Sequence, residues 1–242
     1  MRLDQRLVEL GHATSRTRAQ TLVRAGVVTI DGLIATKPSQ KVGLNAEVRC
    51  ARDPNPWVSR AALKLAHALD AFNLDPSGAT ALDIGASTGG FTEVLLAHGA
   101  AKVHALDVGH GQLHPRLAAD ARVVSHEGIN AKAIPLALIP PLDWIVTDVS
   151  FISLIKALPI ALTLAKPGAT LVALIKPQFE VGPAQVGKGG LVRDEAARRR
   201  ARETVHDFLV AQNWRVMGEA DSPIRGGDGN IEYLISAQNA LT

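Results

Sequence analysis

The stretch Ala81-Leu82-Asp83-Ile84-Gly85-Ala86-Ser87-Thr88-Gly89-Gly90-Phe91 constrains the fold of this chain more than any other. A short apolar run ends in an acid and a glycine-rich turn, then gives way to helical spacing through Phe91, Val94, Leu95 and His98. That is a strand, a tight turn and a helix, the repeating unit of doubly wound α/β sheets, where ligands sit at the carboxyl ends of the strands. Later apolar runs continue the pattern: strands are expected at 81–85, 103–107, 122–125, 144–148 and 170–175, with helices between most of them. The end of the chain differs. Residues 214–220 and 230–236 read as two strands joined by a loop too short for a helical crossover, so a terminal antiparallel strand is expected.

The turn does not suit a dinucleotide. That ligand needs Gly-x-Gly-x-x-Gly, the second glycine letting the backbone approach a pyrophosphate, and here Ser87 occupies that position. S-adenosylmethionine has no pyrophosphate and tolerates a side chain there. Asp107 closes the next apolar run, where a carboxylate that takes ribose hydroxyls is expected. Together with the antiparallel end, this favours a seven-stranded methyltransferase sheet over an all-parallel dehydrogenase one.

A length of 242 residues, 47% of them hydrophobic, supports one substantial core and a small extra module. The net charge of +3 conceals an uneven distribution: residues 1–60 carry ten Lys or Arg against five Asp or Glu, and the remainder sixteen against eighteen. A basic, partner-facing surface therefore belongs to the N-terminal quarter. The single cysteine, Cys50, excludes an intramolecular disulfide framework and a cysteine-cluster metal site. The start of the chain has no apolar signal core, and the best apolar run, 157–165, is far shorter than the roughly twenty residues of a membrane span. A soluble cytoplasmic protein is expected. His104, His110 and His114 lack a second ligand set, so no metal is expected.

Leu3, Leu7 and Leu10 form an apolar stripe on a short helix stopped by Gly11. Thr14-Ser15 offers a cap for a second helix that ends at Gly26, with Ala19, Leu22 and Val23 facing inward. Arg16, Gln20 and Arg24, spaced by four, make a polar stripe with Arg18 on another flank. Val27–Ile30, the turn Asp31-Gly32 and Leu33-Ile34 then read as a hairpin. Arginines beside a hairpin in under fifty residues suggest a phosphate-gripping module, for which Arg6, Arg16, Arg18, Gln20 and Arg24 are the candidate RNA contacts. The pattern Arg2-Leu3-Asp4…Gly11…Ser15-Arg16…Ala19-Gln20…Gly26-Val27-Val28…Asp31-Gly32 resembles the alpha-L RNA-binding domain first described in a small-subunit ribosomal protein. The resulting division is an α+β RNA-binding domain over 1–48, a linker over 49–57 broken by Pro54 and Pro56, and an α/β domain over 58–242.

Three further strand ends carry polar groups: Asp148 after Asp143–Thr147, Lys176 after Leu171–Ile175, and Glu232 within Gly229–Tyr233. With Lys64, on a helix capped by Ser59, these make two lysines and two carboxylates that converge beside the turn; Lys176 and Glu232 alone would equally suit a structural ion pair. Ser59–Leu65, Gly85–Phe91, Asp107–Leu113, Asp148–Ser153 and Lys176–Glu180 resemble the TlyA family, once called haemolysins. Its members are rRNA (cytidine-2′-O)-methyltransferases with a catalytic domain similar to FtsJ. The resemblance implies a Rossmann-like class I sheet and a Lys-Asp-Lys-Glu tetrad at Lys64, Asp148, Lys176 and Glu232. It implies S-adenosylmethionine held by Asp83, Gly85, Ser87, Gly89, Phe91, Asp107, Asn130 and Asp148, and ribosomal RNA or a ribosomal subunit as the partner of a monomer, with no membrane role. A lysine close to a second cation in a partly desolvated site acts as a base more readily, which suits Lys176, with Lys64 supplying that field.

The chain departs from the family at Ala61-Ala62, where Gly-Gly is frequent, and at Asn55-Pro56-Trp57-Val58, where Arg-Ala-Trp-Val is frequent. Its short ends resemble the type that acts on helix 69 of 23S rRNA, the longer type adding helix 44 of 16S rRNA. Residues 181–193 are expected to close over substrate. Arg198-Arg199-Arg200 and Arg202 suit a solvated helix face or RNA equally. The competing readings are a dehydrogenase, a non-catalytic ribosome-binding module and a membrane-active haemolysin.

Overall fold

The structure, a computed structural model, describes residues 1–13, 15–43, 45–51 and 57–241. They form two compact units, Met1–Pro56 and Trp57–Thr242.

In the first unit, helices α1 (Leu3–Glu9) and α2 (Arg16–Arg24) accompany a sheet of β1 (Val28–Ile30), β2 (Leu33–Ile34) and β3 (Val48–Cys50), ordered β2-β1-β3. The Ser15 side chain accepts the Arg18 backbone N–H and so caps α2; Thr14 lies outside the described residues. Asp31 and Gly32 both take positive φ, the backbone of a tight two-residue hairpin turn. Leu3, Leu7, Ala19, Leu22, Val23 and Val28 are buried together. Leu10 is exposed: α1 ends one residue earlier and Leu10 is its C-cap. Arg49 and Cys50, expected in the linker, instead pair with Thr29 and Val28 as part of β3, because a third strand covers the open edge of the hairpin. Residues 52–56, with Pro54 and Pro56, lie outside the described residues.

Polar order in this unit centres on Asp4, which is fully buried. Its carboxylate accepts from Arg2 Nε at 3.0 Å, a second Arg2 nitrogen at 2.9 Å, Gln20 Nε2 at 3.1 Å and Arg16 at 3.4 Å. The hydrogen-bonded Arg2 guanidinium, helped by Gln20 and Arg16, holds the Asp4 carboxyl well below the usual carboxylate range.

The second unit is a seven-stranded sheet ordered β6-β5-β4-β7-β8-β10-β9, comprising β4 (Thr80–Ile84), β5 (Lys102–Asp107), β6 (Val123–Glu127), β7 (Leu142–Thr147), β8 (Ala165–Ile175), β9 (Trp214–Asp221) and β10 (Tyr233–Asn239). The chain winds outward from β4 through β5 and β6, then returns to the other side of β4 as β7, so the strand order reverses beside β4. Only β10 runs antiparallel. It lies between β8 and β9 rather than at the sheet edge. Alternation along the strands feeds two helical layers. Leu82, Ile84, Ile145, Leu171 and Ala173 face α6 (Leu154–Ala157), α7 (Pro159–Leu162) and α9 (Glu195–Ala211). Ala81, Val146, Val172 and Leu234 face α3 (Ala62–Ala71) and α4 (Gly90–Ala97). α5 (Pro115–Ala118) and α8 (Pro177–Glu180) are single turns. His98, read at helical spacing with Phe91, Val94 and Leu95, is the exposed C-cap of α4. β8 begins five residues before its expected start, and β10 begins at Tyr233, so Glu232 precedes the strand instead of lying within it.

A carboxyl held low in the folded state stabilises that state above its unfolded pKa, about 4, and the contribution is lost as the pH falls below that value. All three tryptophans, Trp57, Trp144 and Trp214, are in the second unit, so amide exchange is the suitable readout for the first. At pH 7 the amides of α1 and α2 should exchange faster in Asp4→Asn than in the parent, and the difference should close as the pH drops below about 4.

Candidate active site

At the end of β4 the chain turns through three left-handed residues, Gly85 (φ +81°), Ser87 (φ +48°) and Gly89 (φ +94°). Gly85 is also short of room: a Cβ would lie 3.1 Å from the Asp148 carbonyl oxygen and from the Val149 side chain. A Cβ on Gly90 would lie 2.7 Å from Ser59 Oγ. Asp107, at the end of β5, holds the turn from beside it, one oxygen accepting the Ser87 N–H and the other the Gly109 N–H, both at 2.8 Å.

Over this turn opens a cleft of about 550 Å³, lined by Gly85, Ser87, Asp107, Asn130, Asp148 and Phe151 among others. A smaller recess of about 190 Å³ adjoins it and shares Gly85, Ser87, Asp148 and Ser150. Ser59, Asp83, Phe91 and Lys176 also line the recess. Of the candidate cofactor residues, Gly89 alone lines neither space. A Cβ there would run into Leu117 and Leu113. Asp83 is fully buried; its Oδ2 accepts both the N–H and the hydroxyl of Thr92, while Oδ1 has no protein partner among the described residues. Burial pushes the Asp83 carboxyl up to about 7. An orphaned buried oxygen beside a recess is what a ligand ammonium or hydroxyl would satisfy. Asn130 Oδ1 accepts the Lys132 N–H on the outer rim.

The tetrad converges. Tyr233 pairs with Ile175 across β10 and β8, which sets Glu232 beside Lys176, and Asp148 follows Thr147 at the end of the neighbouring β7. Lys64 reaches in from α3. Its Nζ lies 2.7 Å from Glu232 Oε2 and 3.5 Å from Asp148 Oδ2. Lys176 Nζ lies 2.6 Å from Asp148 Oδ1 and donates to Ser150 Oγ at 2.8 Å. The result is a line of alternating charge, Glu232, Lys64, Asp148, Lys176, with Lys64, Lys176 and Glu232 buried. Burial raises the Glu232 pKa, and Lys64 opposes the shift. Lys176 and Asp148 face the recess; Lys64 and Glu232 stand behind them.

Sequence reasoning assigned no role to Ser150, Glu180, Asp228 or Asn230. Ser150 and Glu180 were visible only as parts of motifs, and Asp228 and Asn230 act through contacts to segments distant in sequence. Asn230 bonds Val192, Gly190 and Asp228, and Asp228 accepts from Gln178. Residues 181–193, expected to close over substrate, are tied at Gly190 and Val192 to the segment before Glu232. Glu180 accepts the Leu154 N–H, and burial pushes its carboxyl up to about 7. Phe151 is 92% exposed at φ +64°, its ring 5.3 Å from that of Phe179.

In the first unit, Arg16 and Gln20 meet at Asp4 together with Arg2, which the candidate contacts omitted. Arg6 pairs with Glu9, Arg18 is half-buried and Arg24 is exposed at the end of α2. On α9, Arg202 pairs with Glu219 and stacks over Tyr233, so it belongs to the sheet packing.

Residues 57–239 match the FtsJ-like methyltransferase family and residues 1–48 the S4 domain. The 16S/23S rRNA (cytidine-2′-O)-methyltransferase TlyA of Mycobacterium tuberculosis is 46% identical over 97% of this chain and 88% of its own length. The 23S rRNA (cytidine-2′-O)-methyltransferase TlyA of Campylobacter jejuni is 38% identical over 74% of this chain and 69% of its own. A solved structure of a candidate hemolysin from Streptococcus thermophilus superposes with a TM-score of 0.78 at 40% identity, covering 99% of this chain and 88% of the other. The chain belongs to the TlyA family, in which an S4 domain precedes an FtsJ-like methyltransferase domain.

Proposed function

We propose that this protein transfers a methyl group from S-adenosylmethionine to the ribose 2′-hydroxyl of a cytidine in ribosomal RNA. The observation that carries this reading is the buried line of alternating charge whose Lys176–Asp148 end opens on the recess beside the nucleoside-sized cleft. Large-subunit rRNA is common to the names of the two relatives, so we take a cytidine of 23S rRNA as the target, in helix 69 by family resemblance. A 16S site in helix 44 is the second position that mapping would detect. The S4 domain supplies the grip on RNA through Arg6, Arg16, Arg18, Gln20 and Arg24. We place the activity in the cytoplasm, with the ribosomes, and in a monomer. Among the described residues no helix is long and apolar enough to cross a membrane.

The residues present fit the cofactor. Each Asp107 oxygen takes one backbone N–H and keeps a lone pair for a ribose hydroxyl, and Asp83 Oδ1 waits unpaired beside the recess. Bound S-adenosylmethionine supplies an electrophilic methyl on a sulfonium centre. A 2′-hydroxyl is a very weak acid, so its oxygen must be aligned and its proton removed as the new bond forms. Lys176, which faces the recess, is the group that takes that proton. Lys64 then remains as the cation that compensates Asp148, so the carboxylate is never left buried without a partner. Glu232 holds Lys64, and exposed Phe151 offers a face against which an extruded base can stack.

Incubating ribosomal subunits with the protein and S-adenosylmethionine, then mapping ribose methylation, tests the reading directly; a product lacking 2′-O-methylcytidine would refute it. Lys176→Ala should slow single-turnover transfer by roughly 100-fold or more while cofactor and rRNA affinities stay within about twofold. Gly85→Ala places a side chain against Asp148 and Val149 in a strained left-handed turn. Titration calorimetry should show S-adenosylmethionine affinity falling by about tenfold or more.

A further inference from the structure

We propose that Glu180 is a positioning residue: it clamps the Asp148–Ser153 segment across to the Lys176 segment and so sets the geometry in which methyl transfer occurs. The proposal rests on the reading of the reaction given above.

Asp148, Ser150 and Phe151 lie on residues 148–153, a stretch without regular structure between β7 and α6. Such a stretch does not hold catalytic geometry by itself, and Phe151 adds left-handed backbone that must be held in place. The start is anchored where the Asp148 N–H donates to the Ile84 carbonyl. At the far end Ser153 occupies the N-cap of α6, yet its hydroxyl makes no capping bond and is buried without a protein partner. The buried Leu154 N–H instead donates to Glu180 Oε1 at 2.8 Å. A distant carboxyl has taken the place of the local cap.

Glu180 follows Lys176 by four residues, and the two side chains grip the same segment. Lys176 holds Asp148 and Ser150, Glu180 holds Leu154, and the rings of Phe151 and Phe179 meet between them. Glu180 Oε2 is buried with no protein partner among the described residues. Burial puts its carboxyl near 7, so the neutral form is accessible and glutamine, with the same length and a carbonyl acceptor, is a close mimic.

The test compares Glu180→Ala, Glu180→Gln and Glu180→Met in the full chain, measuring kcat, the two binding affinities and amide exchange at Leu154. Loss of the tie should lower kcat roughly 10- to 100-fold in the Ala and Met variants, with S-adenosylmethionine and rRNA affinities within about twofold and faster Leu154 exchange. The Gln variant should keep kcat within about threefold of the parent. If Glu180→Ala does not fold, the Gln and Met variants, alike in bulk, decide between them. An unchanged kcat in Glu180→Met, a Gln variant as slow as the Met one, or binding lost in proportion to kcat overturns the proposal. If the parent transfers no methyl, the reaction reading fails by itself, and parental Leu154 exchange in the Met variant would sink the clamp separately.

Discussion

Glu232, Lys64, Asp148 and Lys176 are held almost out of water, and the methyltransferase domain is arranged so that none of the four stands alone. A buried charge without a partner costs several kcal/mol, whereas a line of alternating sign lets each group answer its neighbour. That line draws on one helix and three strand ends, and the sheet order decides whether they can meet. Strands β7 and β8 deliver Asp148 and Lys176 at their carboxyl ends, as parallel strands do. Glu232 comes just before its strand, so it arrives at the same edge only because β10 runs the other way. An all-parallel sheet would put that carboxylate at the opposite end. The antiparallel strand is therefore a requirement of the site.

The glycine turn and the charged line are likewise not independent. Gly85 is the point where β4 and the Asp148–Val149 backbone come closest, so the turn that floors the cleft also fixes how near Asp148 lies to it. Asp107 gives both oxygens to backbone N–H groups and in doing so shapes the turn it is expected to serve as a ligand. The floor of the cleft and the placement of Asp148 share one set of contacts.

Much of this was legible in the sequence, because the signals were local. The strand-turn-helix at Asp83–Phe91, the acids and lysine ending three strands, and the Asp31-Gly32 hairpin each follow from period and turn chemistry. The antiparallel end followed from a loop too short to cross over. What escaped depends on partners far apart in the chain. Arg49 and Cys50 looked like linker because pairing with β1 leaves no mark on three residues. That Gly89 also packs against Leu113 and Leu117, leaving no room for a side chain, could not be read from the turn alone. The stretch 181–193 gave no sign in sequence that Asn230 holds it from a distant segment. Glu180 caps a helix it is not near in sequence.

The two domains use buried carboxyls in opposite ways. Asp4 lies among guanidinium and amide donors, and their hydrogen bonds outweigh its burial, so it is held below the usual range. Asp83, Glu180 and Glu232 meet fewer donors than their burial demands, and all three are pushed up, the first two to about 7. The signs separate the pH windows of the two domains. Acidification from neutrality protonates Asp83 and Glu180 and works against the Glu232–Lys64 pair while Asp4 still holds Arg2, Arg16 and Gln20 in place. Asp4 thus keeps its charge to lower pH than the raised carboxyls of the second unit.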